Sequence, residues 1–155
     1  MLFRSLIGRL RMGETEEIER IVEPYFNKQV NSLEKPTSSH FSGHLVFAEL
    51  AERTKKPRYV ELVRAAADMA FNADGTPKEA MPLHNEMSDS VFMGTPILAA
   101  AGKLTGEQKY FDMAIRHFRF MQKLGLRSDG IYRHSPLDEA AWGRGNAFQI
   151  GRAHV

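Results

Sequence analysis

The stretch Phe92-Met-Gly-Thr-Pro-Ile-Leu-Ala-Ala-Ala-Gly-Lys-Leu-Thr-Gly-Glu-Gln-Lys-Tyr110 decides the fold class, because its landmarks also occur earlier in the chain. Four residues of this stretch have an identical residue 51 positions earlier. They are Phe92, Gly94, Thr105 and Tyr110, which match Phe41, Gly43, Thr54 and Tyr59 in that order. The same step from Gly94 leads to Gly145. A repeat of this period indicates a supersecondary unit that stacks on neighbouring copies of itself.

Each unit is predicted to be a hairpin of two unlike helices. The first is small and apolar nearly all round, as in 96–101, which suits an inner, buried position. The second is amphipathic, since Tyr110, Met113 and Met121 alternate with charged residues, which suits an outer position with one wet face. Repeated inner–outer hairpins form either an open solenoid or a closed (α/α) barrel, and periodicity does not choose between them.

The helical period predicts an all-α chain. Helices are expected over 14–31, 43–53, 57–71, 89–104 and 108–123, with a last one that starts near Trp142. Pro24 should kink or divide the first of these helices, because proline lacks the backbone N–H and clashes inside a helix. Turn-forming residues predict irregular structure over 72–82 and 128–130.

Composition excludes several classes of protein. The net charge is only +2 and the basic residues are scattered, so no nucleic-acid partner is expected. There is no apolar run long enough to span a bilayer, so no membrane partner is expected either. The chain has no cysteine and no secretory signal, which together predict a cytoplasmic location.

Both ends of the chain are predicted to be foreign to the gene. Residues 1–5 and 150–155 correspond to translations of a widely used sequencing adapter in opposite orientations, so we expect the biological domain to be 6–149. Such segments do not enter fold reasoning. Without Arg4 and Arg152 the formal charge falls from +2 to 0.

Asp89 is the first candidate for chemistry, in the segment Asn85-Glu-Met-Ser-Asp-Ser-Val-Phe-Met-Gly94 that leads into an inner helix. Ser88 or Asp89 could simply be the N-cap of that helix, because a side-chain oxygen there accepts from the free amides of the first turn. The alternative is a general acid at the mouth of a barrel, where the N-termini of inner helices meet loops. The residues alone leave both interpretations open.

A second candidate segment, 129–148, contains the only tryptophan of the chain. Trp142 offers a flat apolar face for a sugar ring, and Arg144 offers a planar fork that fits a carboxylate. Gly143 and Gly145 allow backbone or ligand to approach closely. Together these residue types suit an acidic sugar, although a core tryptophan beside a surface arginine is the simpler alternative.

The histidines are weaker candidates. His40 and His44 are four residues apart, as metal ligands can be, but no acid stands beside them and Gly43 lies between them, so no metal site is predicted. We expect His84 and His117 to be surface residues or core residues with satisfied hydrogen bonds.

Three strings, Ser88-Asp-Ser-Val-Phe-Met-Gly94, Asp129-Gly-Ile-Tyr-Arg-His134 and Trp142-Gly-Arg-Gly-Asn146, resemble glycoside hydrolase families 88 and 105 in order and approximate spacing. These families are unsaturated glucuronyl and unsaturated rhamnogalacturonyl hydrolases, and the resemblance covers roughly 39–148. It implies an (α/α)6 barrel, an unsaturated acidic oligosaccharide as substrate, and no metal or organic cofactor. It also implies hydration of a C4=C5 enol ether by an aspartic acid, followed by release of the terminal sugar.

The resemblance also assigns roles to residues. Asp89 becomes the catalytic acid and base, His134 contacts the substrate near its reacting end, Trp142 stacks on the sugar, and Arg144 binds polar groups of the uronate. Phe148 stands where family members often have a second tryptophan. The family carries a second aspartate just before the earlier inner helix, but the segment 38–42 has no acid. Our own expectation, which the resemblance does not supply, is that His40 takes part of that aspartate's place at the site.

Length is the other departure from the family, because a six-hairpin barrel needs about twice this chain. We therefore expect a partial barrel that is inactive alone and prone to self-association through its exposed inner helices. Two alternatives remain for the function. One is a non-catalytic helical-repeat or acidic-sugar-binding protein, and the other is a different (α/α) barrel enzyme such as a sugar epimerase.

Overall fold

The computed structural model describes residues 2–27 and 29–150, with side chains over 5–27 and 29–147, and confirms the all-α prediction. A short 3₁₀ helix, Glu23–Tyr25, lies among the α-helices. The α-helices are α1 Leu2–Arg11, α2 Thr15–Val22, α3 Ser38–Gly43, α4 Leu45–Thr54, α5 Pro57–Asp68, α6 Ser90–Thr105, α7 Gln108–Gly125 and α8 Gly143–Ile150. Within the described residues, none of these helices has both the length and the apolar composition needed to cross a bilayer.

The turn between inner and outer helices is the same in both repeats. Each repeat threonine, Thr54 or Thr105, donates its hydroxyl to the carbonyl four residues earlier at 2.8 Å. The next residue adopts a left-handed conformation, with φ of 58° at Lys55 and 75° at Gly106, and ends the inner helix. The same threonine oxygen also accepts a backbone N–H two residues on, from Lys56 or Glu107, so it joins the end of one helix to the start of the next.

The tyrosine of each repeat joins its outer helix to a helix that lies earlier in the chain. Tyr59 of α5 donates its hydroxyl to Glu19 of α2 at 2.6 Å, and Tyr110 of α7 donates to Asp68 of α5 at 2.7 Å. Both tyrosine rings are fully buried. The outer helices α5 and α7 are therefore each tied to an earlier helix, α2 and α5, by the same hydroxyl–carboxylate bond.

A small hairpin follows each outer helix and confirms the predicted turns. An antiparallel bridge pairs Phe71 with Pro77 in the first hairpin and Leu126 with Tyr132 in the second. In each turn an aspartate accepts the backbone N–H two residues on, which is an Asx turn. These aspartates are Asp74 and Asp129, and the glycine that follows each has positive φ.

Helix α6 is the centre of the fold, since it packs against α3, α4, α5, α7 and α8. Its buried residues lie on several sides, among them Val91, Ile97, Leu98 and Ala101, as predicted for an inner helix. By contrast α7 buries one stripe that includes Tyr110, Met113 and Met121, as predicted for an outer helix.

Three predicted helix bounds were wrong. The first helix ends at Val22, and Pro24 lies in the 3₁₀ helix that follows, so the predicted division at this proline is confirmed while the end at 31 is not. The first inner helix is two helices, α3 and α4, that meet at His44 instead of one helix over 43–53. The α5 helix ends at Asp68 instead of 71, because the chain enters the hairpin there.

The predicted domain of 6–149 lies within helices α1 to α8. Of the predicted adapter segments 1–5 and 150–155, residues 2–5 belong to α1 and residue 150 to α8, whereas residues 1 and 151–155 lie outside the described residues, and the adapter origin stays a prediction. Leu6 and Leu10 of α1 are buried in the common core. Helix α1 packs against α4 and so covers the start of the repeat.

Candidate functional site

Asp89 lies directly before α6 and is half-buried. No hydrogen bond from its side chain caps the helix in the part of the chain that the structure describes, so capping by the Asp89 carboxylate is not seen. Its backbone carbonyl accepts the N–H groups of Phe92 at 2.9 Å and Met93 at 3.2 Å. The carboxylate is therefore not engaged by the first turn of its own helix.

The entry into α6 is held by other side chains. Ser90 donates its hydroxyl to the carbonyl of His84, and its own carbonyl faces Nε2 of His117 at 3.1 Å. The other ring nitrogen of His117, Nδ1, accepts the N–H of Met81 at 3.2 Å. Because Nδ1 is an acceptor, the proton is assigned to Nε2, which donates to Ser90. His117 is fully buried, which confirms a core histidine with satisfied hydrogen bonds.

His134 and Trp142 form an aromatic pair, which we call the cradle. Their ring centroids are 5.2 Å apart with an interplanar angle of 36°. The indole Nε1–H donates to Asp138 at 3.1 Å, which fixes the orientation of the ring, while 51% of Trp142 stays exposed. A broad aromatic face therefore remains open to a ligand.

The backbone joins the cradle to the Asp89 segment. The N–H of Ser88 donates to the carbonyl of His134 at 2.9 Å, and the N–H of His134 donates to Ala140 at 2.9 Å. A Cβ atom at position 145 would overlap the Oγ of Ser88, so Gly145 lets α8 approach this point. Asp89 is therefore one residue away from the contact between the two candidate segments.

Asn146 is a residue that sequence reasoning missed. Its Oδ1 accepts the N–H of Tyr132 at 2.9 Å, and its Nδ2 donates to the carbonyls of Tyr132 at 2.9 Å and Trp142 at 3.2 Å. The side-chain amide therefore bonds both the N–H and the carbonyl of Tyr132, as the backbone of a neighbouring β-strand would. The string Trp142-Gly-Arg-Gly-Asn146 shows an amide that can both donate and accept, but it does not show which backbone groups that amide bonds.

The remaining predicted site residues belong to helices α3 and α8, which both pack against α6. Arg144 is exposed in the first turn of α8, the helix that packs against α6. The side chain of Phe148 lies outside the described residues. His40 belongs to α3, which also packs against α6, and its Nδ1 accepts the N–H of Thr37 at 2.8 Å at the start of that helix.

The pair His40 and His44 is not arranged as a metal site. His44 is buried, its Nδ1 lies 2.7 Å from the carbonyl of His40, and its Nε2 lies 3.2 Å from the hydroxyl of Ser32. Burial lowers the pKa of His44, which favours the neutral ring. Burial also lowers the pKa of His84, whose Nδ1 accepts the N–H of Glu86 at 2.9 Å.

The described residues thus place an aspartate at the start of an inner helix and an exposed tryptophan in the segment bonded to the residue before it. Sequence comparison gives the class of protein. Residues 3–150 match the profile described as Glycosyl Hydrolase Family 88, and the chain belongs to this family. No curated protein matches the chain. The substrate class is therefore a carbohydrate, and the reaction class is glycoside hydrolysis.

Proposed function

We propose that the chain carries the catalytic acid and part of the substrate cradle of an unsaturated uronyl hydrolase. The observation that supports this most directly is the 2.9 Å hydrogen bond from the N–H of Ser88 to the carbonyl of His134, which joins the Asp89 segment to the cradle. The carboxylate of Asp89 is also not used to cap its own helix within the described residues. A carboxyl group that does not cap its helix, one residue after the contact with the cradle segment, is a suitable candidate for a general acid.

In the proposed reaction, the carboxylic acid of Asp89 gives its proton to C4 of the C4=C5 double bond. The positive charge that develops at C5 is shared with the ring oxygen, and water adds to C5. The Asp89 carboxylate takes the proton of that water, so the acid is regenerated. The resulting hemiketal opens by breaking the bond between C5 and the ring oxygen, which turns C1 into a hemiacetal that releases the remaining saccharide.

The cradle residues bind the acidic sugar in this proposal. The exposed face of Trp142 stacks on the pyranose ring, and Phe148 adds a second apolar contact. The guanidinium of Arg144 pairs with polar groups of the uronate. His134 contacts the substrate near the reacting end, and His40 approaches from the neighbouring inner helix.

We also propose that the chain is one part of a longer six-hairpin toroid. Helices α4–α5 and α6–α7 form two inner–outer hairpins, whereas the toroid needs six. Exposed apolar side chains in the same segment as the cradle, Leu137 at 97% and Ile131 at 43%, suit a surface that further hairpins would cover. The chain alone is then expected to bind substrate weakly, not to turn it over, and to self-associate.

Turnover is tested in the full-length enzyme that contains this segment, with lyase-derived oligosaccharides as substrates. The absorbance of the substrate double bond should disappear with the wild-type enzyme and persist with Asp89→Asn. Asp112→Asn is the matched control, because Asp112 is an exposed acid on the outer helix α7 that bonds only Gln108 among the described residues. Full activity of Asp89→Asn, or no absorbance loss with any such substrate, would refute the proposal.

Two other results would identify the alternatives. Interconversion of reducing sugars without cleavage would indicate an epimerase on the same toroid. Binding of saturated uronates without turnover would indicate a sugar-binding protein.

A further inference from the structure

The amide of Asn146 joins three pieces of the candidate site. It makes two hydrogen bonds with the backbone of Tyr132, two residues before His134, and a third with the carbonyl of Trp142. One side chain thus bonds Trp142 directly and bonds the backbone two residues before His134. A fully hydrogen-bonded amide that spans two segments restricts their relative position.

Gly145 holds the same helix against the Asp89 segment. A methyl group at 145 would overlap the Oγ of Ser88, whereas a methyl group at Gly143 meets nothing within 4 Å. The N–H of Ser88 in turn donates to the carbonyl of His134. Contacts therefore run from Ser88 to His134, from the residues beside His134 to Asn146, and from Gly145 back to Ser88.

We propose that Asn146, with Gly145, is a positioning residue pair that sets the distance between the Asp89 carboxyl and the Trp142 ring. The consequence for catalysis rests on the proposed function, whereas the consequence for the cradle itself does not. A carboxyl group delivers its proton to a carbon atom only from a narrow range of positions, and a displacement of about 1 Å can cost on the order of 100-fold in rate. Neither Asn146 nor Gly145 needs to touch the substrate in this role.

The first experiment needs no ligand, because Trp142 is the only tryptophan of the chain and reports on the cradle alone. In Asn146→Asp, a carboxylate oxygen replaces Nδ2 and faces the carbonyls of Tyr132 and Trp142, so the segments should separate. We expect a red shift of the Trp142 emission and stronger quenching by iodide. Asn72→Asp is the matched control, because the amide of Asn72 bonds Thr76 in the corresponding hairpin of the preceding repeat.

A second pair of variants protects the test against simple loss of folding. Gly145→Ala should produce the same red shift as Asn146→Asp, whereas Gly143→Ala in the same helix should not. Far-UV circular dichroism should stay that of the wild type in all four variants, since the main core lies in other helices. An unchanged Trp142 emission in both Asn146→Asp and Gly145→Ala would overturn the proposal.

The second experiment measures binding of an unsaturated uronyl disaccharide by the emission of Trp142. Loss of two hydrogen bonds that hold the cradle should weaken binding by Asn146→Asp about tenfold, while Asn72→Asp binds like the wild type. Equal affinity of Asn146→Asp and the wild type would also overturn the positioning role. A further outcome is that the wild type does not bind the disaccharide while the emission shifts of the ligand-free variants occur as expected. In that case the proposed function fails and the role of Asn146 in shaping the cradle stands.

Discussion

Removal of one hydroxyl group, by Tyr59→Phe, should measurably loosen the joint between α2 and α5. The hydroxyl donates to Oε1 of Glu19 at 2.6 Å and accepts from Arg58 at 3.0 Å. The ring itself stays in place, since it packs edge-on against Phe26 with 5.2 Å between centroids. The substitution therefore removes the hydrogen bonds and leaves the apolar packing nearly unchanged.

The size of the effect follows from the partners that remain. A hydrogen bond to a charged group contributes about 1.5–3 kcal/mol. Glu19 keeps its 2.6 Å ion pair with Lys56 and is partly accessible to water, so the lower end of that range applies. We expect the free energy of unfolding to fall by about 1.5 kcal/mol, which lowers Tm by roughly 3–6 °C in a chain of this size.

The effect should depend on pH in a defined direction. Burial, together with the hydrogen bond to Glu19, raises the pKa of Tyr59 from 10.0 to about 12. The folded protein therefore holds this proton more tightly than the unfolded chain does. The stabilisation is complete below about pH 10 and is lost as the pH rises from 10 to about 12, so the difference between wild type and Tyr59→Phe should shrink over that window.

Urea unfolding followed by circular dichroism at pH 7, 9 and 11 measures both expectations. Tyr25→Phe is the control, because Tyr25 also packs edge-on in the core, against Phe47, and its hydroxyl has no hydrogen bond among the described residues. A difference of zero at pH 7, or a difference that does not change between pH 9 and 11, would show that the hydroxyl–carboxylate bond does not stabilise the repeat.

Three further substitutions test the packing, two of them around α6 and one in α1. His117→Leu leaves the buried N–H of Met81 without its acceptor and should lower the free energy of unfolding by about 1–3 kcal/mol, measured by urea unfolding at pH 7; wild-type stability would contradict the buried bridge. Gly102→Ala places a methyl group 2.7 Å from the ring of Phe111 and should cost about 1–3 kcal/mol through overpacking. Gly8→Ala, with nothing within 4 Å of the new methyl group, should instead stabilise helix α1 by roughly 0.5–1 kcal/mol, and equal effects of the two alanines on Tm would refute the packing argument.

Much of the candidate site was open to prediction because its chemistry is carried by residue types. An aspartate at the start of an inner helix, and a tryptophan two residues from an arginine, are visible in the sequence without any contact. The role of Asn146 was not visible, because its bonds run to the backbone of Tyr132, and backbone groups carry no sequence signal. The sequence also did not decide whether the Asp89 carboxylate caps its helix, because an aspartate at this position can do either.

The sequence by itself determined the helices, the inner–outer alternation and the repeat, because periodicity and turn residues act over a few positions along the chain. The Thr54 and Thr105 turns are of this kind, since each threonine bonds a carbonyl four residues away. Only the tertiary structure decided that the first inner helix breaks at His44, and that Ser88, His134 and Gly145 meet. These features depend on which backbone atoms come within hydrogen-bond distance after residues tens of positions apart have packed, and no local pattern encodes that distance.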